Sequence, residues 1–239
     1  MSINYLSNFT TTRRNPKKIK YIIFHYTGMR SENKAINRLL NVKSKVSCHY
    51  FIKKNGQVIF MIPVFFEAWH AGKSKWKKDK SLNKYSIGIE IANKGHEFGY
   101  EKFSKKQILS LIKLSKYLIN KYKINKKNIL GHSDIAFERK KDPGEKFPWK
   151  FLASKGVGIW HSINNTKLKK LRKFKLTNSE KLKGIKFLEK IGYSSNKEKD
   201  KNCLKLIKSF QRRFRQELID GRMDKECLII AKKLSKTYN

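Results

Sequence analysis

The chain is poor in cysteine, proline and acidic side chains, and it has no long apolar run. Its three cysteines, Cys48, Cys203 and Cys227, cannot all pair, and none falls in a Cys-x-x-Cys spacing, so no disulfide framework is expected. No apolar stretch approaches the roughly 18 to 20 residues that a membrane span needs. The segment 1–20 is polar and basic, unlike a secretory signal peptide. The expected location is therefore cytoplasmic, with the periplasm or cell envelope as the alternative if a leader has been removed.

The scarcity of acidic residues gives the chain a strong positive charge. Only 18 acidic residues stand against 57 basic ones, and the net charge is +39. Such a charge favours an anionic partner, either the bacterial cell wall or nucleic acid. Lysine is spread from end to end, whereas nucleic-acid-binding proteins concentrate arginine and aromatic residues on one element, so no nucleic-acid partner is expected. An A/T-rich genome explains the same lysine content, and wall affinity and codon bias both stay open.

The first two thirds of the chain alternate between strand and helix patterns. An Asn55-Gly56 turn between two apolar runs predicts a hairpin, and Ser104 with Gln107 forms a capping-box pattern that opens a helix. The lysine-rich stretch 73–84 is predicted to be an exposed loop. Further strands are expected at 20–25, 85–91 and 128–131, with a helical pattern over 31–40. This order predicts an α/β fold, a mixed central β-sheet flanked by helices.

The last third changes character. A basic, polar linker is predicted at 163–176, between a domain at 1–162 and a small three-helix domain at 177–239. The three helical patterns are each too short to be stable alone, so they are expected to pack on one another. The residues predicted to face inward are Leu182, Ile185, Leu188, Ile191, Leu204, Ile207, Phe210, Phe214, Cys227, Leu228, Ala231 and Leu234.

Polar residues follow or interrupt three of the apolar runs. His25 ends one run, Glu90 lies inside a second, and His132 follows a third, with Lys140 and Asp142 close behind it. Two imidazoles and one carboxylate make a three-ligand zinc site with an open position for water. A further carboxylate and a lysine supply a base and an oxyanion partner, so the set indicates metal-assisted hydrolysis. Taken singly, each histidine is better explained as a residue of the core.

The segment Gly131–Trp149 resembles a known family. It is similar to the metal-binding segment of the zinc-dependent N-acetylmuramoyl-L-alanine amidases of the type-2 class, which are related to the peptidoglycan recognition proteins and to phage amidase-lysozymes. The resemblance covers roughly residues 15 to 160. Four upstream motifs carry it further: Ile23-Phe24-His25-Tyr26-Thr27, Ser47-Cys48-His49-Tyr50-Phe51, Ala68-Trp69-His70-Ala71-Gly72 and Ser86-Ile87-Gly88-Ile89-Glu90.

The resemblance implies a reaction and assigns residues to it. One Zn²⁺ per chain would be bound by His25, His132 and Asp142, with Glu90 and Lys140 as catalytic residues. The bond cleaved would be the amide between N-acetylmuramic acid and L-alanine, in peptidoglycan or in (anhydro)muropeptides, during cell-wall turnover or recycling. Glu90 would take a proton from the zinc-activated water, and Lys140 would stabilise the oxyanion.

One departure from the family pattern concerns the base. Cys48 stands where the recognition proteins and phage relatives have a tyrosine that assists the zinc water, but amidases without that tyrosine use the glutamate matched by Glu90. A small buried thiol is favoured for Cys48 over a nucleophile. His49, His70 and Trp69 are predicted to line the substrate cleft. Core packing is the alternative for each, and Trp76 has the same two interpretations.

The C-terminal helices resemble the small peptidoglycan-binding domain that is often appended to such amidases. The similarity rests on 207–214 and 220–224, and wall affinity would raise the local concentration of cleavable bonds. A helical tail that only packs against the amidase is the alternative. Other interpretations of the whole chain are a catalytically silent peptidoglycan receptor, which the complete set of ligands, Glu90 and Lys140 disfavours, and a phage-type endolysin amidase. The sequence predicts no oligomeric state.

Overall fold

The computed structural model describes residues 12–194 and 200–238 of the chain. Within these ranges two α-helices are interspersed among the seven strands, and only helices follow the last strand. In chain order they are β1 (Tyr21–Tyr26), α1 (Glu32–Leu40), β2 (Tyr50–Ile52), β3 (Val58–Phe60), β4 (Lys75–Trp76), β5 (Asp79–Lys80), β6 (Ser86–Ile91), α2 (Lys105–Tyr122), β7 (Ile129–Gly131), α3 (His132–Ile135), α4 (Trp149–Ser154), α5 (Asn165–Lys170), α6 (Asn178–Ile191), α7 (Asp200–Phe214) and α8 (Lys225–Ser235).

Five strands form one mixed sheet in the order β3-β2-β6-β1-β7. Strand β6 runs parallel to β1 and β2, β7 runs parallel to β1, and β3 pairs antiparallel with β2 through the predicted Asn55-Gly56 hairpin. The capping box of Ser104 and Gln107 is present at the start of α2. The predicted fold class, a mixed central sheet flanked by helices, is confirmed.

Alternate residues of β1 belong to two different cores. Ile22 and Phe24 pack with Leu111 and other apolar residues of α2. Tyr21 and Ile23 point to the opposite face, where the C-terminal helices cover the sheet. His25 follows on this second face because side chains two residues apart in a strand share a face.

The C-terminal helices α6, α7 and α8 pack together and also on the sheet. Phe210 of α7 and Ala231 of α8 belong to one continuous apolar core that includes Ile23 and Leu130 of the sheet. The segment predicted as a linker contains α5 and buries Leu168 in the same core. The helices therefore lie directly against the α/β part of the molecule.

Three local predictions are wrong. Leu182 and Leu204 are 64% and 44% exposed, because both lie near helix N-termini on the solvent side. The lysine-rich stretch 73–84 is not a simple exposed loop, since β4 and β5 pair there as a short ribbon. Its Trp76 and Leu82 are buried, and the surrounding lysines hid these two anchors in the sequence pattern.

No helix of the described ranges combines the length and the apolar character needed to cross a membrane.

Candidate metal centre and cleft

The sheet brings the segments that carry His25, Glu90 and His132 together at one edge. Strands β1 and β6 pair in parallel with His25 beside Glu90. On the other side of β1, Phe24 pairs with Gly131 of β7, so His132 emerges next to His25. Parallel strands end at a common edge, and ligands of open α/β sheets bind beyond the carboxyl ends of their strands.

Backbone contacts bring Asp142 to the same place. The amide of Ser133 donates to the carbonyl of Asp142 over 2.8 Å, which ties the start of α3 to the returning chain. Gly131 allows the approach, because a Cβ there would lie 2.7 Å from Cδ of Pro143. The ten-residue excursion from His132 therefore closes back on itself and presents both side chains to His25.

The atoms Nδ1 of His25, Nδ1 of His132 and Oδ2 of Asp142 converge in a buried triangle. Nδ1 of His25 lies 3.0 Å from Nδ1 of His132 and 3.1 Å from Oδ2 of Asp142, and the third separation is also 3.1 Å. Two imidazole nitrogens and one carboxylate oxygen are a donor set typical of catalytic zinc. The group is thus consistent with a metal site.

The protonation states of these three side chains suit the binding of a cation. Nε2 of His132 donates to the carbonyl of Ala71 over 3.2 Å, which leaves a lone pair on Nδ1 in the neutral ring. Burial, with the neighbouring His132, lowers the pKa of His25 to about 4, so its imidazole is neutral at pH 7. Neutral imidazoles and an ionised carboxylate are the forms that bind metal.

Glu90 supplies a carboxylate next to this triangle without belonging to it. It lines the cleft, and its Oε2 has no hydrogen-bond partner among residues 12–194 and 200–238. Burial, together with the charge of Asp142, raises its pKa well above the ordinary value, while Lys140 acts in the opposite direction. A half-buried carboxylate with one enclosed, unpartnered oxygen and a raised pKa is suited to exchanging protons at neutral pH.

A cleft of about 600 Å³ opens above these residues. Its walls carry four cationic side chains, Arg38, Arg139, Lys140 and Lys141. Trp69 is 37% exposed and His70 is buried, and both line the cleft. The cleft can therefore take a polar ligand above His25, His132 and Asp142.

Other predicted residues are placed in the core. His49 is fully buried, accepts from the amide of Gly88 over 3.0 Å and contacts the Phe66 carbonyl over 3.2 Å, which favours the core alternative. Trp76 packs edge-on against Tyr193 with ring centroids 4.9 Å apart. Burial raises the pKa of the Cys48 thiol well above its usual value, and its Sγ lies 3.5 Å from the sulfur of Met61. These contacts support the buried-thiol interpretation of Cys48.

Sequence reasoning missed Arg139. Its guanidinium donates to the carbonyls of Ala71 and Lys73 over 2.5 and 2.9 Å, and it connects the wall of the cleft to the loop that holds His132. Only its position next to Lys140 in the metal-binding segment signals a role. Arg38 was missed as well, because a lone arginine in an exposed helix carries no local signal.

Comparison with known protein families agrees with this geometry. The profile of the N-acetylmuramoyl-L-alanine amidase family Amidase_2 matches residues 15–145, more than half of the chain. The chain is 31% identical over 234 residues to the N-acetylmuramoyl-L-alanine amidase AmiD of Escherichia coli, covering 92% of this chain and 84% of AmiD. It is 30% identical over 161 residues to the 1,6-anhydro-N-acetylmuramyl-L-alanine amidase AmpD of Haemophilus influenzae, covering 59% of this chain and 85% of AmpD.

Two solved structures are similar over nearly the whole chain. AmiD of Escherichia coli, in complex with anhydro-N-acetylmuramic acid-L-Ala-D-γ-Glu-L-Lys, has a TM-score of 0.81 at 30% identity, covering 96% of this chain and 92% of that one. AMPDH3 of Pseudomonas aeruginosa, in complex with an anhydromuramic pentapeptide, has a TM-score of 0.81 at 29% identity, covering 100% and 99%. Both similarities extend over the C-terminal helices.

Proposed function

The chain belongs to the N-acetylmuramoyl-L-alanine amidase family and is an amidase of peptidoglycan, and from this premise we propose that it is a zinc enzyme acting on soluble anhydromuropeptides. The observation that carries the proposal is the buried triangle of His25, His132 and Asp142 with Glu90 beside it in the cleft. The residues of the triangle are proposed as the zinc ligands, one ion per chain. When bound, zinc would polarise the scissile carbonyl and lower the pKa of the attacking water.

Glu90 is proposed as the base and then the acid of the reaction. Its free Oε2 takes a proton from the water whose oxygen adds to the amide carbon. The same carboxyl then gives that proton to the nitrogen of L-alanine, the C–N bond breaks, and the lactyl carboxyl group and a free amine result. Its raised pKa serves both steps, because a more basic carboxylate takes the proton of the water more readily and still holds it when the amine leaves.

Lys140 is proposed to stabilise the charge that develops on the carbonyl oxygen. It lies in the wall of the cleft. In the sequence it stands between His132 and Asp142, two residues before Asp142. A cation fixed on the same segment as two ligands needs little reorganisation during the reaction. Loss of such a donor typically lowers the rate by about 10²–10³-fold.

The charge of the cleft supports an anionic muropeptide as substrate. Stem peptides carry carboxylates, and the four cationic residues of the walls complement them. The two similar structures are complexes with anhydromuramic peptides. We propose the same class of substrate for this chain, in peptidoglycan recycling.

We also propose that the C-terminal helices bind the cell wall, in addition to their role in the fold. The resemblance of 207–214 to wall-binding helices supports it, while the packing of α7 on the sheet gives these helices a role in the fold as well. Sedimentation of the Glu90→Ala variant with purified sacculi tests it, and no co-sedimentation at low salt would contradict it.

Metal content and substrate choice test the proposal together. Purified protein should bind one zinc per chain, and Asp142→Ala should bind less than a tenth of it. The zinc-loaded protein should cleave a soluble anhydromuropeptide faster than intact sacculi. A chain that retains its fold and binds no zinc, or that cleaves sacculi alone, would contradict the metal or the substrate assignment respectively.

A further inference from the structure

A chain of hydrogen bonds runs from His25 into the interior of the protein. Nε2 of His25 lies 3.0 Å from Nδ1 of His70. Nε2 of His70 lies 3.1 Å from Oγ of Ser86, and that hydroxyl lies 2.6 Å from the carbonyl of Leu82. All three side chains are buried, so water does not compete for these contacts.

The carbonyl of Leu82, at the end of this series of hydrogen bonds, fixes the direction of each of them. A backbone carbonyl can only accept, so the single hydroxyl hydrogen of Ser86 goes to Leu82. Oγ of Ser86 must then accept from Nε2–H of His70. Neutral His70 therefore has its lone pair on Nδ1 and accepts from Nε2–H of His25. Neutral His25 is left with its lone pair on Nδ1, the atom that faces His132 and Asp142.

The opposite direction would leave an unpaired acceptor. If His70 donated from Nδ1 to His25, its Nε2 would need the hydroxyl hydrogen of Ser86. The carbonyl of Leu82 would then face a second acceptor 2.6 Å away in a buried site. An unsatisfied buried polar group costs about 1–3 kcal/mol, and the first direction avoids that cost at the carbonyl of Leu82.

Strand β6 is built to hold this arrangement. Ser86, Gly88 and Glu90 share one face of the strand, because side chains alternate along it. The ring of His70 lies on Gly88, where a Cβ would come within 2.3 Å of Cγ of His70. Ser86 thus binds the ring, Gly88 makes room for it, and Glu90 reaches the cleft.

We propose that His70 and Ser86 are positioning residues that hold His25 in its Nε2–H tautomer and aim its Nδ1 lone pair at the metal site. This inference rests on the proposed function, because it requires His25 to be a metal ligand. It gives His70 a role different from substrate contact, since both ring nitrogens are used inside the protein. Partners behind a metal-binding histidine fix its tautomer and orientation, and their loss typically costs about 10–100-fold in metal affinity.

The tautomers can be observed directly in the metal-free protein. Nitrogen-15 NMR of the imidazole rings should show both His25 and His70 protonated at Nε2 at pH 7.5. Ser86→Ala should abolish the preference of His70 for that form. Protonation of His25 at Nδ1 in the wild-type protein would overturn the proposal.

Zinc affinity, measured by competition with a chelator, is the second readout. We expect Ser86→Ala and His70→Leu to weaken zinc binding by about 10–100-fold. His70→Asn should recover part of the loss of His70→Leu, since its Oδ1 can accept from His25 near the position of Nδ1. Unchanged affinity in both Ser86→Ala and His70→Leu would overturn the proposal.

Ser115→Ala is the matched control. Ser115 is equally buried, but it lies in α2, and its hydroxyl has no partner within the described residues. Its substitution should leave zinc affinity unchanged. Failure of the wild-type protein to bind zinc would refute the proposed function. A wild type that binds zinc, with Ser86→Ala equal to Ser115→Ala in both readouts, would refute only the positioning role.

Discussion

At the scale of the residue, burial dominates the chemistry of the histidines. Burial is the largest cause that lowers the pKa of His25, His49 and His70, and for His25 the value falls to about 4. Each is therefore neutral in the folded protein at pH 7. Neutrality is what a metal ligand and an oriented hydrogen-bond partner require.

The same shifts predict a loss of stability in mild acid. A histidine whose pKa is lowered on folding binds its proton more readily in the unfolded chain, so its stabilisation is present above pH 6.5 and is lost as pH falls towards the folded value. Each such histidine contributes about 1.4 kcal/mol per pH unit in that window. The raised pKa of Glu90 makes the folded protein more stable as the pH falls, but it is one group against three histidines.

Denaturant unfolding of the metal-free protein at pH 7 and pH 5 measures this effect. The free energy of unfolding should fall by several kcal/mol at the lower pH. Equal stability at the two values would contradict the assignment of His25, His49 and His70 as neutral buried groups.

At the scale of the element, the turn from β7 into α3 decides the geometry of His132 and Asp142, two of the proposed metal ligands. Gly131→Ala would place a Cβ 2.7 Å from Pro143 and 3.2 Å from Trp149. Overpacking of this kind costs about 1–3 kcal/mol, and here it would push Asp142 away from His132. We expect zinc affinity to fall by about tenfold or more, measured by chelator competition.

A helix-cap variant provides the control for this turn. Thr177 caps α6 in a capping box with Glu180, and neither residue lines the cleft. Thr177→Ala should cost about 1 kcal/mol of stability and leave zinc affinity unchanged. If Gly131→Ala bound zinc as well as Thr177→Ala does, the turn would have no special role.

Elements governed by local signals could be predicted from the sequence. The Asn55-Gly56 hairpin, the capping boxes at Ser104 and Thr177 and the buried face of α2 depend on neighbours a few residues away. The convergence of His25, His132 and Asp142 could be predicted because a family motif contains them. Ser86 could not be given its role, because its partner His70 comes from another segment, and Trp76 was hidden among lysines.

At the scale of the whole molecule, one buried ion pair joins the C-terminal helices to the metal-binding segment. Nη1 of Arg213 in α7 lies 2.5 Å from Oδ2 of Asp134, and the hydroxyl of Tyr193 donates to Oδ1 of the same carboxylate over 2.7 Å. Asp134 in turn accepts from the amide of Gly131 over 2.8 Å. Arg213 and Asp134 are 79 residues apart, which is why no sequence pattern announced the contact.

We expect Arg213→Ala to destabilise the entire protein. It leaves the carboxylate of Asp134 buried without its cation, a change that typically costs about 3–5 kcal/mol. Sheet and C-terminal helices should still unfold in one transition, because they share a core. Denaturant unfolding followed by near- and far-ultraviolet circular dichroism measures both.

Lys169→Ala is the control for this ion pair. Lys169 forms an exposed pair with Glu217 over 3.9 Å, and such pairs contribute at most about 1 kcal/mol. If Arg213→Ala lowered the free energy of unfolding no more than Lys169→Ala does, this ion pair would not hold the C-terminal helices on the metal-binding segment.

The central claim is that this chain hydrolyses the bond between N-acetylmuramic acid and L-alanine with Glu90 as its base. Mass spectrometry of a soluble anhydromuropeptide digested by the zinc-loaded wild type and by Glu90→Gln tests it most directly. We expect free stem peptides that begin at L-alanine from the wild type and a rate about 10²–10⁴-fold lower from the variant, with zinc binding retained. Intact muropeptide after digestion by the zinc-loaded wild type, or equal rates from the two proteins, would contradict the account.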